Sequence, residues 1–135
     1  MSEQLYQERI VALAKAKTGA GKLASPSKSA RRDNPLCGDR VTIDVRLDGE
    51  GRIAEIAHQV RGCLLCQASA SALSSVAVGR DAAGIADVRR DAERAIGREA
   101  GEAGEPFSAF APVAGYKSRQ ECVLLPFEAL EDALS

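Results

Sequence analysis

From Val41 to Leu47, the apolar residues Val41, Ile43, Val45 and Leu47 alternate with Thr42, Asp44 and Arg46, the two-residue period of a half-buried strand. Asp48-Gly49-Glu50-Gly51 then predicts a turn. Ala54, Ile56, His58 and Val60 supply the buried face of a return strand, so residues 41–60 read as a hairpin leading directly to Cys63. Upstream, Tyr6, Ile10 and Leu13 share one face of a helix over residues 3–17, which ends at Thr18-Gly19-Ala20-Gly21. The polar stretch from Ser25 to Asp33 has neither period.

Downstream the pattern becomes helical. Residues 64–78 are almost all small or apolar, as expected of a helix packed closely on a sheet and stopped by Gly79. Asp81 is placed to cap a second helix with the apolar face Ile85, Val88, Ala92 and Ile96. A Gly/Glu-rich break from Gly97 to Pro106 follows, with the composition of a mobile segment. Pro126 suits a first helical turn, and Phe127, Leu130 and Leu134 form one face, so the pattern predicts a terminal helix beginning just after Cys122. No internal repeat appears, and residues 1–135 read as a single domain.

Composition narrows the function classes. Of the 135 residues 45% are apolar but only five are aromatic, which suits a modest core. Eighteen basic residues against nineteen acidic ones give a net charge of −1, without the basic excess of a nucleic-acid binder, and the doublets Arg31-Arg32 and Arg89-Arg90 read as solvated faces. Met1-Ser2-Glu3-Gln4 has no basic and apolar leader pattern, and no apolar run approaches the roughly 20 residues of a membrane span. A cytoplasmic protein with no membrane or nucleic-acid partner is expected. In that reducing compartment, four cysteines argue for metal or thiol chemistry over disulfides.

The cysteines carry the chemistry. Cys37 lies in Asn34-Pro35-Leu36-Cys37-Gly38-Asp39, Cys63 and Cys66 in Gly62-Cys63-Leu64-Leu65-Cys66-Gln67-Ala68-Ser69-Ala70-Ser71, and Cys122 in Arg119-Gln120-Glu121-Cys122-Val123-Leu124-Leu125-Pro126-Phe127. Each falls where a strand or loop is expected to hand over to a helix, and exposed N–H groups there favour a thiolate. The bland alternative is a set of small buried hydrophobes.

In order and spacing these three segments, within residues 30–130, resemble the U-type iron–sulfur scaffold family (IscU and the N-terminal domain of NifU), and more narrowly its SufU-like branch. The 58 residues between Cys63 and Cys122 resemble the longer interval of that branch. The resemblance implies an α+β domain, a three-stranded antiparallel sheet with helices packed against it. It also implies that Cys37, Asp39, Cys63 and Cys122 gather at one end as ligands to Zn2+ or to a transient [2Fe–2S] cluster. The residue types agree. Cys37 and Asp39 share a side of an extended chain, Gly38 allows close backbone approach, and three thiolates with one carboxylate suit a tetrahedral ion. Asp39 could instead simply shape the turn after Gly38.

The chain departs from the family pattern in places. Glu121 stands where IscU-type scaffolds carry His, their Leu-Pro-Pro-Val-Lys chaperone motif is absent, Val60 replaces Gly, and Cys66 replaces a small residue such as Ser. His58, the only histidine, stands where the family usually has Phe and reads as a core or edge residue. Cys66 forms a C-x-x-C pair with Cys63, yet the implied ligand set is full without it, so packing in the helix is the expected role. Arg119 is either an exposed charge or a support for Cys122.

Two functions are expected from the resemblance. The first is a scaffold on which a labile [2Fe–2S] cluster is built from iron and sulfur supplied by a cysteine desulfurase, then passed to apo iron–sulfur proteins or carriers. The second is a zinc-dependent sulfur acceptor, the sulfurtransferase half of a two-protein enzyme, with Cys122 receiving the persulfide. A purely structural zinc domain fits less well, since such sites usually gather short-spaced ligand pairs.

Overall fold

The hairpin forms where the alternation places it. In the computed structural model, which describes residues 3–35 and 38–135 with side chains from Glu8 onward, β2 (Asp39–Leu47) pairs antiparallel with β3 (Ile53–Arg61). Val41, Ile43 and Val45 stand opposite Val60, His58 and Ile56, and all three β2 residues are buried. At the turn Asp48 Oδ1 accepts hydrogen bonds from the N–H groups of Glu50 and Arg52, both at 2.9 Å. This is the short local closure Asp favours in turns.

The third strand is where the sequence showed no period. β1 (Lys28–Asn34) pairs antiparallel with β2 and completes the sheet in the order β1-β2-β3. Only Asn34 of its seven residues is buried. A charged edge strand needs no alternating apolar face, because its backbone pairs on one side and its charges discourage pairing on the other.

The helices are α1 (Glu3–Ala16), α2 (Leu64–Ala77), α3 (Ala82–Ala95) and α4 (Lys117–Leu134). α2 is buried nearly all round, and α1, α4 and β3 pack against it. Its small residues permit the close approach, and Ser69 Oγ donates to the Val123 carbonyl at 2.5 Å, pinning α2 to α4 beside Cys122. Asp81 caps α3 as expected, its carboxylate accepting from the Gly84 N–H at 2.9 Å. Buried residues from all four helices, β2 and β3 form one apolar cluster. The side chain of Tyr6, expected on that face of α1, lies outside the described residues. Among the described residues no helix is long and apolar enough to cross a membrane.

One expectation is corrected. α4 begins at Lys117, not after Cys122, and holds Pro126 in its interior. Val123, Leu124, Phe127 and Leu130 are all buried, and their packing outweighs the N–H that proline cannot give to the carbonyl four residues back. Phe107–Gly115 forms a 3-10 helix whose Phe107 packs against Phe127, ring centroids 5.5 Å apart. The break itself is tied at both ends, Arg98 to Glu121 at 2.8 Å and Glu105 to Arg9 at 2.8 Å.

Candidate metal centre

Three elements end at one place. Asp39 is the first residue of β2, Cys63 is the N-cap of α2 just beyond β3, and Cys122 lies in the second turn of α4. One ligand atom from each, a carboxylate oxygen and two Sγ atoms, lie within 4.8 Å of one another. Tetrahedral zinc with Zn–S bonds of about 2.3 Å sets its ligand atoms roughly 3.8 Å apart, so the group needs little adjustment to hold an ion. Asp39 and Cys122 are buried and Cys63 is half-buried, leaving one open side. Cys37, the remaining expected ligand, lies outside the described residues.

Asp39 is held by both oxygens. Oδ1 accepts a hydrogen bond from the Cys63 backbone N–H at 3.1 Å, and Oδ2 lies 3.5 Å from Cys63 Sγ. Asn34 pairs with Asp39 across the β1–β2 ladder, and the Gly38 N–H bonds the Asn34 carbonyl at 2.8 Å. Gly38 has φ +74°, a left-handed conformation that glycine adopts without a Cβ clash.

The two thiols are unequal. The hydrogen bond from Cys122 lowers the Cys63 pKa to about 7, helped by the Cys66 N–H and opposed by burial and by the Asp39 charge. Cys122 is pushed up, because it is the donor to Cys63 and because it is buried. The Cys122 Sγ also lies 3.7 Å from the Ser118 carbonyl one turn back. The helix-start argument for a thiolate therefore applies to Cys63, at the N-cap of α2, and not to Cys122 inside α4. Two thiols and a carboxylate packed this closely repel when ionised, a conflict that a bound cation relieves.

The other expected residues fall as follows. Cys66 is fully buried in the apolar cluster and is not one of the converging ligands. His58 is buried in the middle of β3, with Nε2 2.8 Å from the Thr18 carbonyl. Arg119 is exposed on α4 one turn before Cys122, and its guanidinium has no ion pair with a described residue. Sequence reasoning missed Arg98, which donates to Gln120 Oε1 at 2.9 Å and to Glu121 Oε1 at 2.8 Å. Gln120 in turn donates to the Ala114 carbonyl at 2.7 Å. The segment before α4 is thereby fastened to the turn that carries Cys122, and Glu121 has a cation partner. Nothing in the pattern around Arg98 signalled this.

Comparison with known proteins agrees with the geometry. The profile of the NifU-like N terminal domain family matches residues 5–123. The chain is 33% identical over 93 residues to the bifunctional protein NifU/MnmA of Rubrobacter xylanophilus, a match covering 68% of this chain and 19% of that longer protein. It is 25% identical over 134 residues, 98% of this chain and 94% of the relative, to the iron–sulfur cluster assembly scaffold protein IscU of Thermotoga maritima. A crystal structure from Fervidobacterium islandicum, described as a candidate iron–sulfur cluster assembly scaffold protein for the SUF system, superposes with a TM-score of 0.87 at 31% identity over 100% of both chains.

Proposed function

The chain belongs to the NifU-like N-terminal domain family, and from that premise we propose that it is an iron–sulfur cluster assembly scaffold. In this reading Cys37, Asp39, Cys63 and Cys122 hold a labile [2Fe–2S] cluster as cargo. A cysteine desulfurase supplies the sulfur, and apo iron–sulfur proteins or carriers receive the product. The convergence of Asp39, Cys63 and Cys122 within 4.8 Å carries the proposal. The donor set is mixed for a reason. Thiolates are soft and retain iron, whereas a carboxylate is harder and exchanges more readily, so Asp39 is the ligand to leave first when the cluster moves on. Its Oδ1 bond to the Cys63 N–H keeps the departed carboxylate in place for the next cycle.

Anaerobic reconstitution with desulfurase, cysteine, iron and reductant should load iron and acid-labile sulfide in equal amounts, and both should pass to an apo-acceptor. Failure to load either one while the protein remains folded would sink the scaffold reading.

The second reading is a zinc-dependent sulfur acceptor. It is favoured by the 58-residue interval between Cys63 and Cys122, which holds α2, α3, the 3-10 helix and the first turn of α4, and by the likeness to the SUF-system protein. Bound zinc would keep the site's thiolates deprotonated and shielded from oxidation. The exposed Arg119 then stands one turn from Cys122, placed to meet an incoming anionic persulfide.

A further inference from the structure

Gly62 occupies a position where glycine is not required by the backbone. Its φ lies outside the left-handed region that favours glycine, unlike that of Gly38. What it lacks is room. A Cβ built on Gly62 would sit 2.5 Å from Asp39 Oδ1, 2.6 Å from Asp39 Cγ and 3.0 Å from Asp39 Cβ. These contacts are with the short side chain of the first residue of β2, which cannot swing away as the end of a long flexible chain could. Gln67, in the first turn of α2, donates its Nε2 to the Gly62 carbonyl at 3.1 Å and so fixes this peptide against the helix.

We propose that Gly62 is a positioning residue for Asp39: the missing Cβ forms the notch in which the carboxylate lies, one oxygen on the Cys63 N–H and the other turned toward the thiols. The inference rests on the metal-site reading above and assigns a cause to it. Any side chain at residue 62 displaces the carboxylate, leaving a site of thiolates alone whose remaining position falls to water. With Oδ1 on the Cys63 N–H, Oδ2 is the oxygen nearer the Cys63 sulfur.

The test compares Gly62→Ala, Asp39→Ala and the double variant. In chelator-treated protein Gly62→Ala should lower the thermal midpoint by about 5 °C or more, as overpacking of a tight site does. Asp39→Ala in the same chain should recover most of that loss, since it removes both contacts below 3 Å. With cobalt(II) loaded as a spectroscopic probe, Gly62→Ala should reproduce the visible spectrum of Asp39→Ala. Its zinc affinity in chelator competition should fall about 10-fold or more. If Gly62→Ala does not fold alone, recovery of folded protein in the double variant supports the proposal equally. An uncompensated loss in the double variant, or a wild-type cobalt spectrum in Gly62→Ala, would overturn it. An unchanged spectrum in Asp39→Ala itself would instead overturn the metal reading, a failure distinct from absent compensation.

Discussion

The Asp39 carboxylate accepts the N–H of Cys63, the residue that precedes α2, at 3.1 Å, and its second oxygen lies 3.5 Å from the Cys63 Sγ. In the proposed site one side chain thus combines a structural contact with a ligand role, and substitutions can divide them. We predict that Asp39→Ala slows cluster transfer to an apo-acceptor, because the exchangeable ligand is gone, and also costs about 1 kcal/mol of stability through the lost hydrogen bond to the Cys63 N–H. Asp39→Asn keeps an oxygen for the Cys63 N–H, so it should slow transfer with less loss of stability. Transfer by both variants at the wild-type rate would mean that Asp39 only shapes the turn.

Cys66 separates proximity in sequence from proximity in space. Three residues from Cys63, it is fully buried in the apolar cluster, and its N–H supports the Cys63 thiolate while its side chain is no part of the converging group. Cys66→Ala should leave zinc stoichiometry and cluster loading unchanged, at a stability cost of about 1 kcal/mol for the lost sulfur packing. Loss of metal in this variant, measured by elemental analysis, would make Cys66 a ligand or relay thiol.

Much of the fold was legible because most elements have one apolar face. The alternation at Val41, Ile43 and Val45 marked β2, and Asp81 marked the start of α3. β1 was not legible from its own residues, since Lys28, Arg31, Arg32 and Asp33 lie exposed along an edge strand with no period. Its only clue was the family resemblance. The α4 boundary was misread because Pro126 was weighed as a start signal, whereas the packing of Val123, Phe127 and Leu130 carries the helix through it. The motifs held Asp39, Cys63 and Cys122, which the structure brings together, but two contacts beside them had no signal in the pattern. Gly62 acts through empty space, and Arg98 acts across 22 residues on Gln120.

His58 gives the protein a pH dependence away from the site. Burial pushes its pKa below the usual 6.5, the Thr18 carbonyl opposing this, and Nδ1 has no hydrogen-bond partner among the described residues. The folded state therefore favours the neutral ring. Its contribution is complete above about pH 6.5, the unfolded value, and is lost as pH falls through the lower folded value. The carboxylates of Asp33, Asp48 and Asp132, lowered chiefly by hydrogen bonds from Arg40, from the Arg52 backbone and from Arg32, act in a more acidic range. Between pH 6.5 and 5 the thermal midpoint of the wild type should fall more steeply than that of His58→Phe. Parallel curves would show that His58 does not titrate on unfolding.

Cys122 decides between the two functions. For a sulfur acceptor, the Cys122 thiolate attacks the outer sulfur of the desulfurase persulfide. The new S–S bond forms on Cys122, and the desulfurase cysteine leaves as a thiolate. The zinc-bound thiolate must first be released from the metal, so the step waits on docking of the desulfurase. We predict for that case that the zinc-loaded protein accelerates alanine release from cysteine many-fold without iron. Cys122→Ala should abolish the acceleration, and Arg119→Ala should weaken it while leaving zinc bound. For a scaffold, alanine release rises little, whereas iron, sulfide and reductant yield a cluster that Cys63→Ser and Cys122→Ser each lose. The raised pKa of Cys122 makes it the poorer nucleophile in the metal-free protein, so chelation should suppress the acceptor activity although it exposes the thiol. Strong zinc-dependent activation with no cluster formed under anaerobic reconstitution would place the acceptor reading ahead of the scaffold.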